Sequence, residues 1–273
     1  MEEILRTNLR EDIGCGDITT NILIGEDVRA CGKVISKEDG IICGVSIVKT
    51  LFALVDKEMV FLQGVSDGER ITKGKVILKL TGKAKTILTL ERLALNLLQH
   101  LSGIATQTSR YVEKVKPYSV SIIDTRKTSP GLRNLEKYAV RCGGGKNHRF
   151  GLFDGILIKD NHVDIVGGVK QAVKIAREKA PHGLKIEVEV RNLEEVKEAL
   201  EGKADIILLD NMDIEMLKKS VEIICGRAIV EASGGINLEN VEEVAKTGVN
   251  LISVGALTHS VRALDLSMVI DLP

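Results

Sequence analysis

Tryptophan is absent from the 273 residues, and all aromatics together make up only 3% of them. The 44% that is hydrophobic is therefore mainly aliphatic. A core of Ile, Leu, Val and Ala suits parallel strands buried between helices. Neither charge is in excess, with 38 Lys and Arg against 38 Asp and Glu. Such a chain offers no global field for nucleic acid or a membrane surface, so any anion site must come from local clustering. No CxxC pair exists among Cys15, Cys31, Cys43, Cys142 and Cys225, which fits a reduced, cytoplasmic chain. No apolar run approaches the roughly 20 residues that span a bilayer. The charged start, MEEILRTNLRED, reads as a helix and not as a signal peptide.

What is present falls into two rhythms. Up to about Gly82, short strand-like runs alternate with glycine turns, as in VRACGKVISKEDGIICG and GERITKGKVILKLTG, with one helical stretch, GVSIVKTLFALVD. This half is expected to be an α/β (α+β) sandwich. A long helix follows from about Thr86 to Lys116, with Leu90, Leu93, Ala94, Leu97, Leu98 and Leu101 on one stripe, and Pro117 ends it. From Ser119 the runs SVSIID, GILIK, LKIEVEV, ADIILLD, RAIVEAS and NLISVG alternate with amphipathic helices. About six such βα units imply a closed or nearly closed α/β barrel, with an open doubly wound sheet as the alternative. The expected domains are residues 1–116 and 117–273, with a last helical stretch packing back on the first domain. Asn237 is the expected cap, and Gly248 the stop, of one barrel helix.

The strand ends carry the reactive side chains. Asp124 with Arg126 and Lys127, then Lys159, Glu189, Asp210, Ser233 with Gly234 and Gly235, and Gly255 each follow an apolar run. In a barrel these ends converge on one mouth. Small residues in EASGGI and SVGAL allow backbone N–H groups to approach a phosphate, or simply make tight turns. Between Arg126 and Arg149 seven bases face one acid, Glu136, and arginine forks match carboxylates and phosphates. Within PGLRNLEKYAV, however, Arg133, Glu136 and Lys137 are expected on a solvated face, with Ser129 as a cap. Glu189 and Asp210 end successive strands and could hold a divalent metal or sugar hydroxyls. Glu187, two residues before Glu189, shares its strand face, with a structural ion pair as its simplest role.

Other chemistries fit less well. RCGGGKNHR lacks the P-loop spacing and the dinucleotide spacing, no HExxH occurs, and no GxSxG elbow is present. Lys159 leaves open a Schiff-base lyase on the same barrel. The GERITKGKVILKL turn resembles a biotinyl or lipoyl carrier strand pair but has no Met-Lys hairpin.

ERLALNLLQHLSGIAT, IDTRKTSPGLRNLEKYAVRCGGGKNHRFGLFDGILIKDNH, ADIILLDN, EASGGI and ISVGALTHS, with EDIGCGDITT near the start, resemble the quinolinate phosphoribosyltransferases. The resemblance runs in order over essentially the whole chain. It implies an N-terminal α/β sandwich followed by an incomplete, seven-stranded α/β barrel. The implied reaction moves phosphoribosyl from 5-phosphoribosyl-1-pyrophosphate (PRPP) to quinolinate with decarboxylation, in NAD synthesis, with Mg2+. A homodimer or hexamer is implied, each barrel mouth being covered by the partner's N-terminal domain. Carried over to this chain, Arg126, His148, Arg149 and Lys159, with Arg92 from the partner, form a cage for quinolinate. Lys127, Ser233, Gly234, Gly235, Gly255 and His259 contact the phosphates of PRPP. Glu189 and Asp210 serve the ribose and the metal, and Lys127, Lys159, Glu189 and Asp210 take catalytic roles. On this reading the GGG run is a tight turn near the pocket, and His162 is structural. A paralogous phosphoribosyltransferase of molybdenum-transport type is the nearest alternative, lacking the quinolinate cage.

Overall fold

The computed structural model describes residues 1–272, the side chain of Gln63 excepted; Pro273, the end of the expected second domain, lies outside the described residues. Two compact units share the chain. The first comprises Met1–Ser109, Ser129–Gly144 and the stretch from Ser260, and the second comprises Arg110–Thr128 and Gly145–His259.

In the first unit the helices are α1 (Glu2–Ile13), α2 (Ile18–Leu23), α3 (Val45–Val55), α4 (Ala84–Val115, which continues into the second unit) and α5 (Arg133–Cys142). Its strands are β1 (Arg29–Ser36), β2 (Gly40–Ile41), β3 (Val60–Gly64), β4 (Arg70–Ile71), β5 (Val76–Lys83) and the chain's last strand, β12 (Leu266–Asp271). Four of them form an antiparallel sheet in the order β12-β1-β5-β3. Along β1 every second residue is buried, the period of a strand with one face in a core. The N-terminus of α3 is capped from a distance by Asp67, whose Oδ1 accepts the N–H groups of Gly44 and Val45 at 2.8 Å. A carboxylate there also suits the helix dipole. All six apolar positions expected on the α4 stripe are buried.

Three expectations for this unit change. The C-terminal stretch is a strand and not a helix: LSMVID pairs along β1 from Ser36↔Leu266 to Cys31↔Asp271, covering an edge that would otherwise expose unpaired backbone. In α5, Glu136 and Lys137 are fully buried and not solvated. They continue the stripe of Leu135, Ala139 and Val140, and both Glu136 oxygens are bonded, Oε1 at 2.9 Å from His100 Nε2 and Oε2 accepting the Ser129 N–H at 3.1 Å. Ser129 therefore donates its N–H to Glu136 instead of capping the helix, whose N-cap residue is Leu132, and Gly131 (φ 80°) turns the chain before α5 begins. The GGG run makes the expected turn at Gly143 and Gly144, and Gly143 packs on α4: a Cβ there would lie 2.4 Å from the Ala105 carbonyl oxygen and 2.6 Å from Thr108 Cβ.

The second unit holds β6 (Ser121–Ile123), β7 (Ile156–Ile158), β8 (Ile186–Val190), β9 (Ile206–Asp210), β10 (Ile229–Ser233) and β11 (Leu251–Ser253). They make a parallel sheet in the order β6-β11-β10-β9-β8-β7. The first strand pairs with the last, which a curled sheet does and a doubly wound sheet does not. A single parallel bridge, Ile123↔Lys146, adds a seventh position on the other side of β6. The result is an incomplete α/β barrel, open between Lys146 and β7. Its helices are α6 (Asp160–Val166), α7 (Val169–Lys179), α8 (Leu193–Glu201), α9 (Ile214–Ile224), α10 (Val241–Lys246) and α11 (Ala256–His259). Asn192 and Asp213 cap α8 and α9 through their side chains. Asn237 instead accepts the N–H groups of Glu239 and Asn240, forming a turn ahead of α10, whose N-cap residue is Asn240. Among the described residues no helix is long and apolar enough to cross a membrane.

Candidate active site

A cavity of about 750 Å3 opens at the C-terminal ends of the barrel strands. Arg126, Lys127, His148, Arg149, Lys159, Glu189, Asp210, Ser233, Gly234, Gly235, Gly255 and His259 all line it. The strand ends thus bring together every site residue expected from the sequence except Arg92, which is exposed on α4.

One side of the cavity is cationic. Arg149 is half-buried, its Nη1 donates to the Gly155 carbonyl at 2.9 Å, and its buried Nε has no hydrogen-bond partner. Burial lowers its pKa, and the charge of Arg126 beside it lowers it further. Two guanidiniums held together at a pocket wall favour a multiply charged anion between them. Lys159 adds a third cation at the end of β7. Its Nζ lies 2.5 Å from Glu189 Oε2, with Glu189 buried at the end of β8. That ion pair occupies Nζ, whereas a Schiff-base lyase needs a free amine nucleophile there. The backbone N–H of Lys159 donates to His162 Nδ1 at 2.9 Å, so His162 has the expected structural part.

The other side is built for close approach. Gly234 (φ 93°) faces Asn211, and a Cβ there would meet Asn211 Oδ1 at 2.1 Å and Asn211 N at 2.9 Å. Asn211 itself is left-handed (φ 53°) and donates through Nδ2 to Asp210 Oδ2 at 2.8 Å. A Cβ at Gly255 would lie 3.2 Å from both the His259 ring and Lys127 Cδ, so glycine lets Lys127 and His259 converge. Thr258 Oγ1 fixes that corner by donating to the Lys127 carbonyl at 2.7 Å.

Three acids lie beneath the basic wall; the sequence singled out Asp124 and Glu187, the latter for an ion pair, but not Glu231. Asp124, fully buried, accepts the His148 N–H at 2.9 Å and Asn147 Nδ2 at 2.6 Å. Glu187 and Glu231 are buried inside the barrel, with His148 Nε2 3.2 Å from Glu187 Oε2 and 4.0 Å from Glu231 Oε1. Burial, and then the Glu187 carboxylate beside it, push the Glu231 carboxyl up to about 8. The signal was the spacing: Glu231 stands two residues before Ser233 as Glu187 stands before Glu189, on the same strand face. Asn211 was legible as an asparagine directly after a strand, a residue type enriched in left-handed turns.

A family model described as the C-terminal domain of quinolinate phosphoribosyl transferase matches residues 104–269, and the N-terminal domain of the same family matches residues 17–102. A probable nicotinate-nucleotide pyrophosphorylase (carboxylating) of Bacillus subtilis is 45% identical, covering 100% of this chain and 94% of that protein. A protein of the same description from Methanocaldococcus jannaschii is 48% identical, covering 97% and 95%. The crystal structure of NadC from Streptococcus pyogenes superposes with a TM-score of 0.96 at 41% identity, covering 100% of this chain and 96% of that one. Fold and mouth together define a phosphoribosyltransferase of the incomplete-barrel class. The chain belongs to the quinolinate phosphoribosyltransferase family, and its activity is decarboxylating transfer of phosphoribosyl to quinolinate, in NAD synthesis.

Proposed function

We propose that the two sides of the cavity divide the two substrates. Arg126, Arg149 and Lys159, with His148 beside them and Arg92 entering from a second copy of the chain, form the quinolinate cage. Lys127, Ser233, Gly234, Gly235, Gly255 and His259 take the phosphates of PRPP. Glu189 and Asp210 face the ribose. The observation that carries this reading is the adjacency of Arg126 and Arg149, whose charges oppose each other until a dicarboxylate arrives.

Asp210, half-buried at the mouth, and Glu189 offer hard carboxylate oxygens of the kind Mg2+ takes together with substrate phosphates. Mg2+ held by them would supply counter-charge for the departing pyrophosphate. The chain's own residues orient and stabilise. Lys127 and the glycine turns hold the phosphates, while Glu189 and Asp210 stabilise positive charge developing on the ribose. The pyridine nitrogen bonds to the anomeric carbon as its bond to pyrophosphate breaks. The ring is then a pyridinium, and the bond to the 2-carboxylate can break with its electron pair left on the ring. CO2 departs, and that carbon takes a proton to give nicotinate mononucleotide. The reading carries a homodimer or hexamer, since Arg92 is exposed, and a cytoplasmic setting suited to five free thiols.

Incubation with PRPP, Mg2+ and either quinolinate or nicotinate tests the cage. Product from quinolinate alone is expected. Equal turnover of nicotinate would overturn the assignment, because nicotinate lacks the 2-carboxylate.

A further inference from the structure

His148 lines the cavity, yet both of its ring nitrogens are engaged by the protein. Nδ1 accepts the backbone N–H of Arg149 at 2.7 Å. A neutral imidazole has one donor and one acceptor nitrogen, so the ring proton sits on Nε2. Nε2 points at Glu187, 3.3 Å from Oε1 and 3.2 Å from Oε2. The tautomer follows from this network. Glu187 is 5% exposed and Glu231 1% exposed. Glu231 Oε1, 4.0 Å from Nε2, has no other hydrogen-bond partner. Both buried acids therefore face the imidazole from within the barrel, Glu231 also lining the cavity.

We propose that Glu187 is a positioning residue for the dicarboxylate end of the site: it holds His148 through Nε2–H, and His148 through Nδ1 fixes the backbone from which the Arg149 guanidinium enters the cavity. His148 is then a strut between a buried carboxylate and an arginine, and not itself a ligand of the substrate through a ring nitrogen. Asp124 secures the same loop from the other side through the His148 N–H. The proposal rests on the reading that Arg149 binds a carboxylate of quinolinate. An arginine displaced by about 1 Å loses a bidentate contact, and small misplacements of that kind cost up to about 100-fold.

Three measurements test it. In histidine-labelled enzyme, the 15N resonances of His148, assigned by difference against His148→Asn, are expected to be those of the neutral Nε2–H tautomer, unchanged when quinolinate is added. Glu187→Ala is expected to raise the quinolinate KM by about 10- to 100-fold with the PRPP KM unchanged. Glu187→Gln, whose amide oxygen can still accept from Nε2–H, is expected to restore most of that loss. A merely structural role would move both KM values together or neither. An imidazolium or Nδ1–H signal overturns the proposal, as does Glu187→Ala with an unaltered quinolinate KM. So does a tightly bound Zn2+ or Mn2+ at one per chain that Glu187→Ala releases, since His148, Glu187 and Glu231 also bring three ligand atoms within 4.8 Å of one another. Should Glu187→Ala fail to fold, the wild-type tautomer and Glu187→Gln decide. Should the wild-type enzyme not use quinolinate, the substrate reading fails by itself and the tautomer still decides the strut.

Discussion

Lys159 Nζ and Glu189 Oε2 lie 2.5 Å apart across the ends of β7 and β8, with Lys159 about half-exposed and Glu189 buried. Neighbouring parallel strands place the two side chains side by side at the barrel mouth. The pair keeps a cation at the mouth without leaving a buried carboxylate uncompensated, which is the costly arrangement. Lys159→Ala should therefore lower thermal stability as well as quinolinate turnover, whereas Lys159→Ala/Glu189→Gln should regain the stability and not the turnover. Borohydride added with quinolinate should leave Lys159 unmodified by intact mass, and a reduced adduct there would revive the lyase.

Arg149→Ala should weaken quinolinate binding by roughly 2–5 kcal/mol, the cost of leaving a buried charged group without its partner. Arg149→Lys should not recover it, because an ammonium cannot reproduce the fork. Steady-state KM values for quinolinate and PRPP, measured separately, check both statements, and the PRPP value should stay near wild type.

Glu231 makes stability depend on pH. Its carboxyl, near 4.5 when unfolded, is pushed up to about 8 in the fold by burial and by Glu187. Between those values the folded state holds more protons than the unfolded one, so this group's contribution is fully present below about pH 4.5 and is lost as pH rises through about 8. Glu231→Gln, which cannot ionise, should flatten that part of the decline. Urea denaturation of both proteins at acid, neutral and mildly alkaline pH gives the comparison; parallel curves would contradict a protonated Glu231.

Gly234 and Gly235 should respond differently to alanine. At Gly234 a Cβ strikes Asn211, backbone included, and the left-handed φ of 93° adds strain. At Gly235 (φ 61°) nothing lies within 4 Å, so only the conformational cost remains. Gly234→Ala should lose about 1–3 kcal/mol of stability and raise the PRPP KM, and Gly235→Ala should cost about 1 kcal/mol. Melting temperatures and PRPP titrations separate them.

The barrel was legible because its strands are short, β-branched runs that end in a polar residue or glycine, and the same rule located Lys159, Glu189, Asp210 and Ser233. The partners of those residues were not legible. Glu187 on β8 finds His148 in the loop before β7, and Gly234 after β10 finds Asn211 after β9, only once the barrel has formed. The α5 face misled for a different reason: Glu136 and Lys137 belong to types that are rarely buried, and Glu136 is satisfied there by His100 and Ser129, far along the chain or just outside the helix. The C-terminal strand was hidden because the strand it pairs with is β1, at the other end of the sequence.

The central claim is that bond formation at the ring nitrogen makes loss of the 2-carboxylate possible. Quinolinate labelled with 14C in that carboxylate, mixed with enzyme and Mg2+ in rapid-quench flow, tests it most directly. The account predicts labelled CO2 only when PRPP is present, with no CO2 ahead of pyrophosphate release and with nicotinate mononucleotide as the final product. Labelled CO2 without PRPP, or ahead of pyrophosphate release, would contradict it.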